Sequence, residues 1–178
     1  MLLEIILIGI ALSMDAFAVT LSSAMIYPNL KLSKRILMPV FFGAFQGIMP
    51  ILGYYLGTLF SAFIDKYSGI VAFLILGVIG VNMIKEGILG EDTQEKEFSI
   101  KILFLQAIAT SIDAFAVGVS FAALGAEIFS SSAIIASSTF LITLAALKIG
   151  KAAGEKLGDK SVVIGGIILI AIGIKSLF

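Results

Sequence analysis

The chain contains no cysteine and no histidine, and only 13% of its 178 residues are charged. Without thiolate or imidazole groups it can form no disulfide, no thiol redox site, and no zinc or haem site built on these side chains. Soluble domains carry about 25% charged residues, so the shortage of charge excludes a water-soluble globule. The twelve basic and twelve acidic residues cancel, and no basic tract suggests nucleic-acid binding. The chain is predicted to be an integral membrane protein.

Six apolar runs are long enough to cross a bilayer. They are unbroken rather than alternating, which favours helices over the strands of a barrel. The predicted spans are residues 2–26, 36–63, 68–89, 102–126, 132–150 and 161–178. The polar, acidic stretch 90–101 is the expected cytoplasmic linker between two units, residues 1–89 and residues 102–178. No Lys or Arg precedes the first run, so we expect a retained span rather than a cleaved signal peptide.

Basic residues are concentrated on one side of the predicted membrane. Ten of the twelve lie in or beside the first, third and fifth connections: Lys31, Lys34, Arg35, Lys85, Lys96, Lys101, Lys148, Lys151, Lys156 and Lys160. Lys66 and Lys175 fall on the other side. Because positively charged connections stay in the cytoplasm, both termini are expected to face outward.

The two units contain related segments. Residues 11–24 and 109–122 agree at nine of fourteen positions, including an unbroken Asp-Ala-Phe-Ala-Val in each. Weaker echoes are glycine pairs in spans two and five, which are typical of close helix packing, and an Ile-Gly pair in spans three and six. Three spans per unit insert the second copy with opposite orientation, as in many secondary transporters. The expected fold is therefore an all-α membrane protein of six transmembrane helices arranged as two inverted three-helix repeats.

Asp15 and Asp113 hold the same position in the two copies, and each falls near the middle of its span. A charge at the bilayer centre costs about 2.5–3.5 kcal/mol, so each carboxylate needs a proton, a paired cation or a metal ion. No basic residue is expected at matching depth, which leaves a proton or a metal ion. Two neighbouring carboxylates titrate as a pair, and a divalent cation can replace their protons. The alternative is a structural interface of two protonated acids.

Neutral oxygen atoms are spaced around the two acids. Thr110 and Ser120 share a helix face with Asp113, and Ser22 lies seven residues after Asp15. Gln46 precedes Pro50 by four residues, so the proline ring frees its backbone carbonyl. The predicted metal ligands are Asp15, Asp113, Gln46, Thr110, Ser22 and Ser120. An all-oxygen set suits Mg²⁺, Ca²⁺ or Mn²⁺.

Several polar residues have competing interpretations. Gln46 is equally well explained as an interhelical hydrogen-bonding residue. Asn82, Thr139 and Thr143 are better explained by packing hydrogen bonds than by metal ligation. Gln106 lies on the same face of span four as Thr110.

These motifs resemble the MntP family of manganese efflux pumps, within the lysine-exporter superfamily. The match covers essentially the whole chain, and its most specific parts are the two Asp segments, residues 42–53 and residues 83–87. The resemblance implies export of Mn²⁺ from a bacterial cytoplasm across the inner membrane, and it carries the acidic pair onto Asp15 and Asp113. Some members of the family have Glu at the Gln46 position and Arg at the Asn82 position, whereas both are neutral here.

The sequence thus predicts a transporter rather than an enzyme. The expected cargo is a divalent cation, with Mn²⁺ as the first candidate, and protons are the candidate exchanged ion. Its expected partners are the metal ion, as substrate rather than cofactor, the lipid bilayer, and a second copy in a homodimer. The rivals are an exporter of a cationic amino acid, a channel and a structural subunit of an assembly. A membrane enzyme is disfavoured because no nucleophile–base constellation is present.

Overall fold

The computed structural model describes the chain except residues 1, 90–97, 158–159, 176 and 178, and it gives no side-chain description for 57–66, 68–69, 86, 89 and 161. Within the described residues every regular element is an α-helix. The helices are α1 Leu2–Ile26, α2 Leu32–Leu89, α3 Ile100–Ala109, α4 Ile112–Leu124, α5 Ile128–Leu157 and α6 Lys160–Lys175. The all-helical class is confirmed, and most of the expected acidic linker lies outside the described residues.

Four stretches are long and apolar enough to cross a membrane: Leu2–Ile26, Leu32–Leu56, Ile100–Leu124 and Ile128–Leu157. Two shorter apolar helices, Ile70–Lys85 and Val162–Lys175, correspond to the expected third and sixth spans. α1 coincides with the predicted first span, and α5 is longer at both ends than the predicted 132–150. The hydropathy of the described helices is consistent with a multi-pass membrane protein.

α1 and α5 run parallel and pack closely. Gly9 near the start of α1 approaches Ile135, and Gly154 near the end of α5 approaches Met25. A Cβ atom at Gly154 would lie only 2.2 Å from the carbonyl oxygen of Met25, so this approach requires glycine. The predicted packing role of the glycines in span five is confirmed.

The first part of α2 packs antiparallel to α5. Gly43 contacts Phe140, and Gly47, one turn later, contacts Ser132. Since α5 runs parallel to α1, this part of α2 runs opposite to α1.

The last part of α2 packs antiparallel to α6. Gly80 contacts Gly166, and Phe73, two turns earlier, contacts Gly173. α6 is itself antiparallel to α1, because Gly165 in α6 lies against Ser22 and α6 ends beside Asp15. The last part of α2 therefore runs in the same direction as α1.

The two parts of α2 consequently point in opposite directions, although the helix is continuous from Leu32 to Leu89. A straight helix of 58 residues would be about 87 Å long, yet Phe42 and Leu76 belong to one buried cluster. The helix runs through residues 63–68, but the reversal of direction requires the chain to turn between the two packed parts. The apolar stretches Leu32–Leu56 and Ile70–Lys85 therefore correspond to the predicted second and third spans.

The contact between α2 and α6 is reciprocal. Gly80 and Gly173 are equivalent positions, since each is the glycine of an Ile-Gly pair repeated in the two units. The same offset of 93 residues relates Phe73 to Gly166. Gly80 contacts Gly166, and Gly173 contacts Phe73. Each contact is therefore the counterpart of the other when equivalent positions of the two units are exchanged. Two copies related by a twofold axis contact each other in this way.

The predicted fourth span, 102–126, is interrupted. α3 ends at Ala109, and α4 begins at Ile112. The Thr110 N–H donates to the carbonyl oxygen of Gln106, four residues earlier, at 3.0 Å. The Ser111 N–H donates to the carbonyl oxygen of Ile108, only three residues earlier, also at 3.0 Å. Ser111 then occupies the N-cap position of α4, although its hydroxyl makes no capping hydrogen bond. The fourth span is confirmed as one apolar stretch, Ile100–Leu124, but it consists of two helices rather than one.

α1 has no such interruption at the equivalent positions. Leu12 stands where the second unit has Thr110, and Ser13 stands where it has Ser111. The Ser13 hydroxyl donates to the carbonyl of Gly9 at 2.7 Å, a bond that is compatible with a continuous helix. The two Asp motifs therefore share a sequence but differ in backbone structure.

Candidate cation site

Gln46 joins the two Asp motifs. Its side-chain Nε2 donates to the carbonyl oxygen of Leu12 at 3.2 Å and to that of Thr110 at 2.8 Å. Leu12 and Thr110 are equivalent positions in the duplication, each three residues before its aspartate, Asp15 or Asp113. The Gln46 side chain is fully buried. One amide in α2 thus links α1 to the break between α3 and α4.

The other end of the Gln46 amide has no partner among the described residues. Its Oε1 is buried without a hydrogen bond, which is costly for an amide oxygen. Five further buried side-chain oxygens share this property among the described residues; they belong to Thr20, Ser22, Ser111, Ser132 and Thr139. These atoms are available to accept a bond from water or to contact a cation.

Asp113 lies in the first turn of α4, where the interruption leaves backbone N–H groups free of helix partners. Its Oδ1 accepts the N–H of Ala114 at 2.8 Å. A carboxylate at this end of a helix is stabilised by the helix dipole. Asp113 is also within electrostatic range of Asp15 and Lys175. The two predicted acids therefore lie within electrostatic range of each other.

Asp15 is paired with a lysine. Its Oδ1 lies 2.8 Å from Lys175 Nζ at the end of α6. The expectation that no basic residue reaches the depth of the acids is wrong. α6 has 16 residues, about 24 Å, which is shorter than a bilayer core of about 30 Å. Because α6 is short and antiparallel to α1, its last turn lies beside the middle of α1, and the flexible lysine stem reaches the carboxylate.

The charged group is open rather than sealed. Asp15 is half-buried with 25% of its side-chain surface accessible, whereas Asp113 and Lys175 are exposed.

The remaining predicted ligands lie at different distances from this group. The Thr110 hydroxyl donates to Gln106 O at 3.0 Å, so its carbonyl, not its hydroxyl, contacts Gln46. Ser22 and Ser120 each lie seven residues beyond their aspartate, about 10 Å along the helix. Ser120 is exposed and donates to its own helix at Ala116 O, and Ser22 lies against Gly165 in α6. The structure brings Gln46 and the Thr110 carbonyl to the Asp motifs, but not these two serines.

Sequence reasoning missed three contributors: Lys175, the Leu12 carbonyl and the Thr110–Ser111 break. The break had only a weak signal, because serine before an acid is common at a helix N-terminus, yet Ser13 precedes Asp15 by the same two residues in a continuous helix. Lys175 had none, since its position depends on how far α6 extends beside α1.

A cavity of about 440 Å³ lies beyond Gln106, one helical turn before Thr110. Its lining comes from the end of α1, the last part of α2 and the start of α3, next to connections rich in basic residues. The polar lining residues are Ser23, Tyr27, Asn82, Ser99 and Gln106. Asn82, interpreted from sequence as a packing residue, is exposed and faces this cavity.

The donor set is low in charge. Among the described residues there is no group of three or more His, Cys, Asp or Glu side chains placed to hold a metal ion. A metal ion at Asp15 and Asp113 would therefore be completed by neutral oxygens such as Gln46 Oε1, by backbone carbonyls or by water. Such hard oxygen ligands suit Mg²⁺, Ca²⁺ or Mn²⁺.

Residues 29–177 match a family model described as "Putative manganese efflux pump". A protein of Methanosphaera stadtmanae named "Putative manganese efflux pump MntP" is 44% identical over 177 residues, 99% of this chain and 98% of its own length. Proteins of the same name from Methanobrevibacter smithii and Ruminiclostridium cellulolyticum are 44% and 42% identical, covering 99% and 98% of this chain and 96% and 94% of their own lengths. No solved structure gives a significant match.

Proposed function

The chain belongs to the MntP family of manganese efflux pumps, and from this premise we propose that it carries Mn²⁺ out of the cytoplasm as a multi-pass membrane transporter. The resemblance inferred from the sequence motifs is confirmed by these matches. The route, the binding site and the exchanged ion are proposals.

Asp15 and Asp113 are the charged ligands in this proposal. The single observation that carries it is the bridge made by Gln46, which ties the carbonyls of Leu12 and Thr110 together. This bridge supports a site shared by two acids that lie within electrostatic range of each other, and the buried Gln46 Oε1 is left as an unpaired acceptor. A doubly charged cation matches two carboxylates and an amide oxygen in charge and in hardness.

Access from the cytoplasm is assigned to the cavity beside Gln106. Its volume of about 440 Å³ exceeds that of a hydrated ion, since one water occupies about 30 Å³. The amide and hydroxyl groups of its lining can hydrogen-bond the water around a cation without binding it tightly. From Gln106 one helical turn leads to the Thr110 carbonyl.

Alternating access is assigned to movement of one unit against the other. The reciprocal contacts of α2 with α6 support two units related by a twofold axis, as inverted-repeat transporters require. The break before Asp113 gives one unit a short helix whose N-terminus bears the acid, another feature of such transporters. Protons are the proposed exchanged ion, because the two carboxylates bind either protons or the metal ion.

The test is Mn²⁺ flux in liposomes containing the purified protein. Asp15→Asn and Asp113→Asn should each abolish flux, since each removes one of two charged ligands. Glu155→Gln is the matched control, because it removes an exposed carboxylate that pairs with Lys151 on the same helix. Full flux through both Asn variants would refute the site, and absence of flux through the unmodified protein would refute the transport assignment.

Export of a cationic amino acid is a second candidate, favoured by one observation. The ammonium group of Lys175 sits 2.8 Å from Asp15, so this carboxylate accommodates a primary amine. Displacement of bound Mn²⁺ by millimolar lysine would support the second candidate, whereas displacement by Mg²⁺ or Ca²⁺ alone would support the first.

A further inference from the structure

Lys175 places a positive charge of the protein itself in the proposed cation site. Its Nζ contacts Asp15 Oδ1 at 2.8 Å, and its charge also acts on Asp113. Neither the family relationship nor the function proposed above assigns this lysine a role. With both carboxyl groups ionised, the group of two acids and one lysine has a net charge of −1.

The ion pair is built in a way that allows it to open. Lys175 keeps 68% of its side-chain surface accessible, so surrounding atoms do not fix the ammonium on Asp15. A lysine is a compact charge on a flexible stem, unlike the planar fork of arginine. Such a side chain can leave the carboxylate by rotation of its own bonds while α6 stays in place.

A divalent cation and the Lys175 ammonium cannot share Asp15 without strong repulsion. Two positive groups within a few ångströms of each other repel, and the effect is large where water is scarce. Binding of the metal ion therefore requires the ammonium to move away, and its return favours release of the metal ion.

We propose that Lys175 is a tethered counter-ion: it neutralises Asp15 when no cargo is bound, it is displaced by the cargo, and it promotes release by returning. This inference rests on the proposed function. It adds a residue that sets how tightly the cargo is held and how fast it leaves. Lys175 acts through Asp15 and does not touch the cation, so it is a positioning residue.

The first experiment compares Mn²⁺ binding and liposome flux in Lys175→Met, Lys175→Arg and Lys160→Met. Lys160 is the matched control, an exposed lysine at the opposite end of the same helix. Loss of the competing charge should tighten Mn²⁺ binding about tenfold in Lys175→Met, a modest part of the Coulomb effect at this separation. The maximal flux should fall together with KM, while Lys160→Met stays near the unmodified protein. Lys175→Arg should bind Mn²⁺ more weakly than the unmodified protein, because the guanidinium can hold Asp15 through two bonds.

A purely structural role gives a different result. If the ion pair only held α6 against α1, Lys175→Met would lower the thermal unfolding temperature and weaken or leave unchanged the binding of Mn²⁺. That outcome overturns the proposal. In an Asp15→Asn background the Met substitution should have no further effect on binding, because the two residues act as one unit.

The second experiment needs no variant. Site-resolved labelling with an amine-reactive reagent should modify Lys175 faster when Mn²⁺ is present, with Lys160 as the internal reference. Equal labelling with and without Mn²⁺, in a protein that binds Mn²⁺, overturns the counter-ion role and leaves the transport function standing. A protein that binds no Mn²⁺ at all overturns the proposed function instead.

Discussion

At the scale of single residues, Gln46 accounts for how two distant segments meet. The sequence left it between an interhelical hydrogen-bonding residue and a metal ligand, and the structure gives the amide nitrogen the first role. The amide oxygen is buried and unpaired, so it is available for the second role, as a metal ligand. An amide can serve both purposes because its donor and acceptor point in different directions.

Replacing Gln46 by Leu should destabilise the protein and impair transport. The carbonyls of Leu12 and Thr110 would be left buried without their donor, at a cost of about 1–3 kcal/mol. Thermal unfolding in detergent measures this change. Gln106→Leu is the control, because that amide lines the cavity. A loss of stability as large as that of Gln46→Leu would argue against the bridge.

At the scale of helices, glycines determine how closely the elements approach. Gly118 in α4 faces Pro50 in α2, where a Cβ atom would lie 2.1 Å from the Pro50 carbonyl oxygen. Gly53, one turn from Pro50, faces the Phe115 carbonyl oxygen with an equally short gap of 2.0 Å. The crossing of α2 and α4 therefore depends on two glycines and carries Asp113 toward Gln46.

Gly118→Ala should separate α4 from α2. Overpacking of this kind costs about 1–3 kcal/mol, and here the added methyl group meets backbone, which cannot rotate away. Gly77→Ala is the matched control, because no described atom lies within 4 Å of its added Cβ. The control should be neutral or slightly stabilising, since alanine favours helices over glycine by about 1 kcal/mol. Equal unfolding temperatures for the two variants would contradict the close crossing.

The helices also show what sequence patterns can and cannot predict. Hydropathy located the apolar stretches, and the repeated Asp motif identified both acids, because each depends on residues near in sequence. The break at Thr110–Ser111 and the pairing of Lys175 with Asp15 depend on contacts between elements. Identical pentapeptides sit in a continuous helix in one unit and after a break in the other, so the flanking residues and their neighbours decide the backbone.

At the scale of the whole molecule, duplication accounts for a proposed site that is shared between the two units. The equivalent glycines Gly80 and Gly173 pack each unit on the other, and equivalent carbonyls converge on one amide. A site shared in this way changes shape when one unit moves against the other. The homodimer expected from the small size of the chain stays a prediction, as does the outward orientation of both termini.

That orientation can be tested directly because the chain has no cysteine. Single cysteines in place of Leu2, Tyr67 and Leu177 should react with a membrane-impermeant maleimide in intact cells. Cysteines in place of Lys34 and Lys101 should react only after permeabilisation. Labelling at Tyr67 tests the path of α2. The two parts of α2 point in opposite directions, which requires the chain to turn back near Tyr67 at the outer face. Protection of the Tyr67→Cys variant in intact cells, with labelling of Leu177→Cys, would mean that residues 32–89 do not cross the membrane twice.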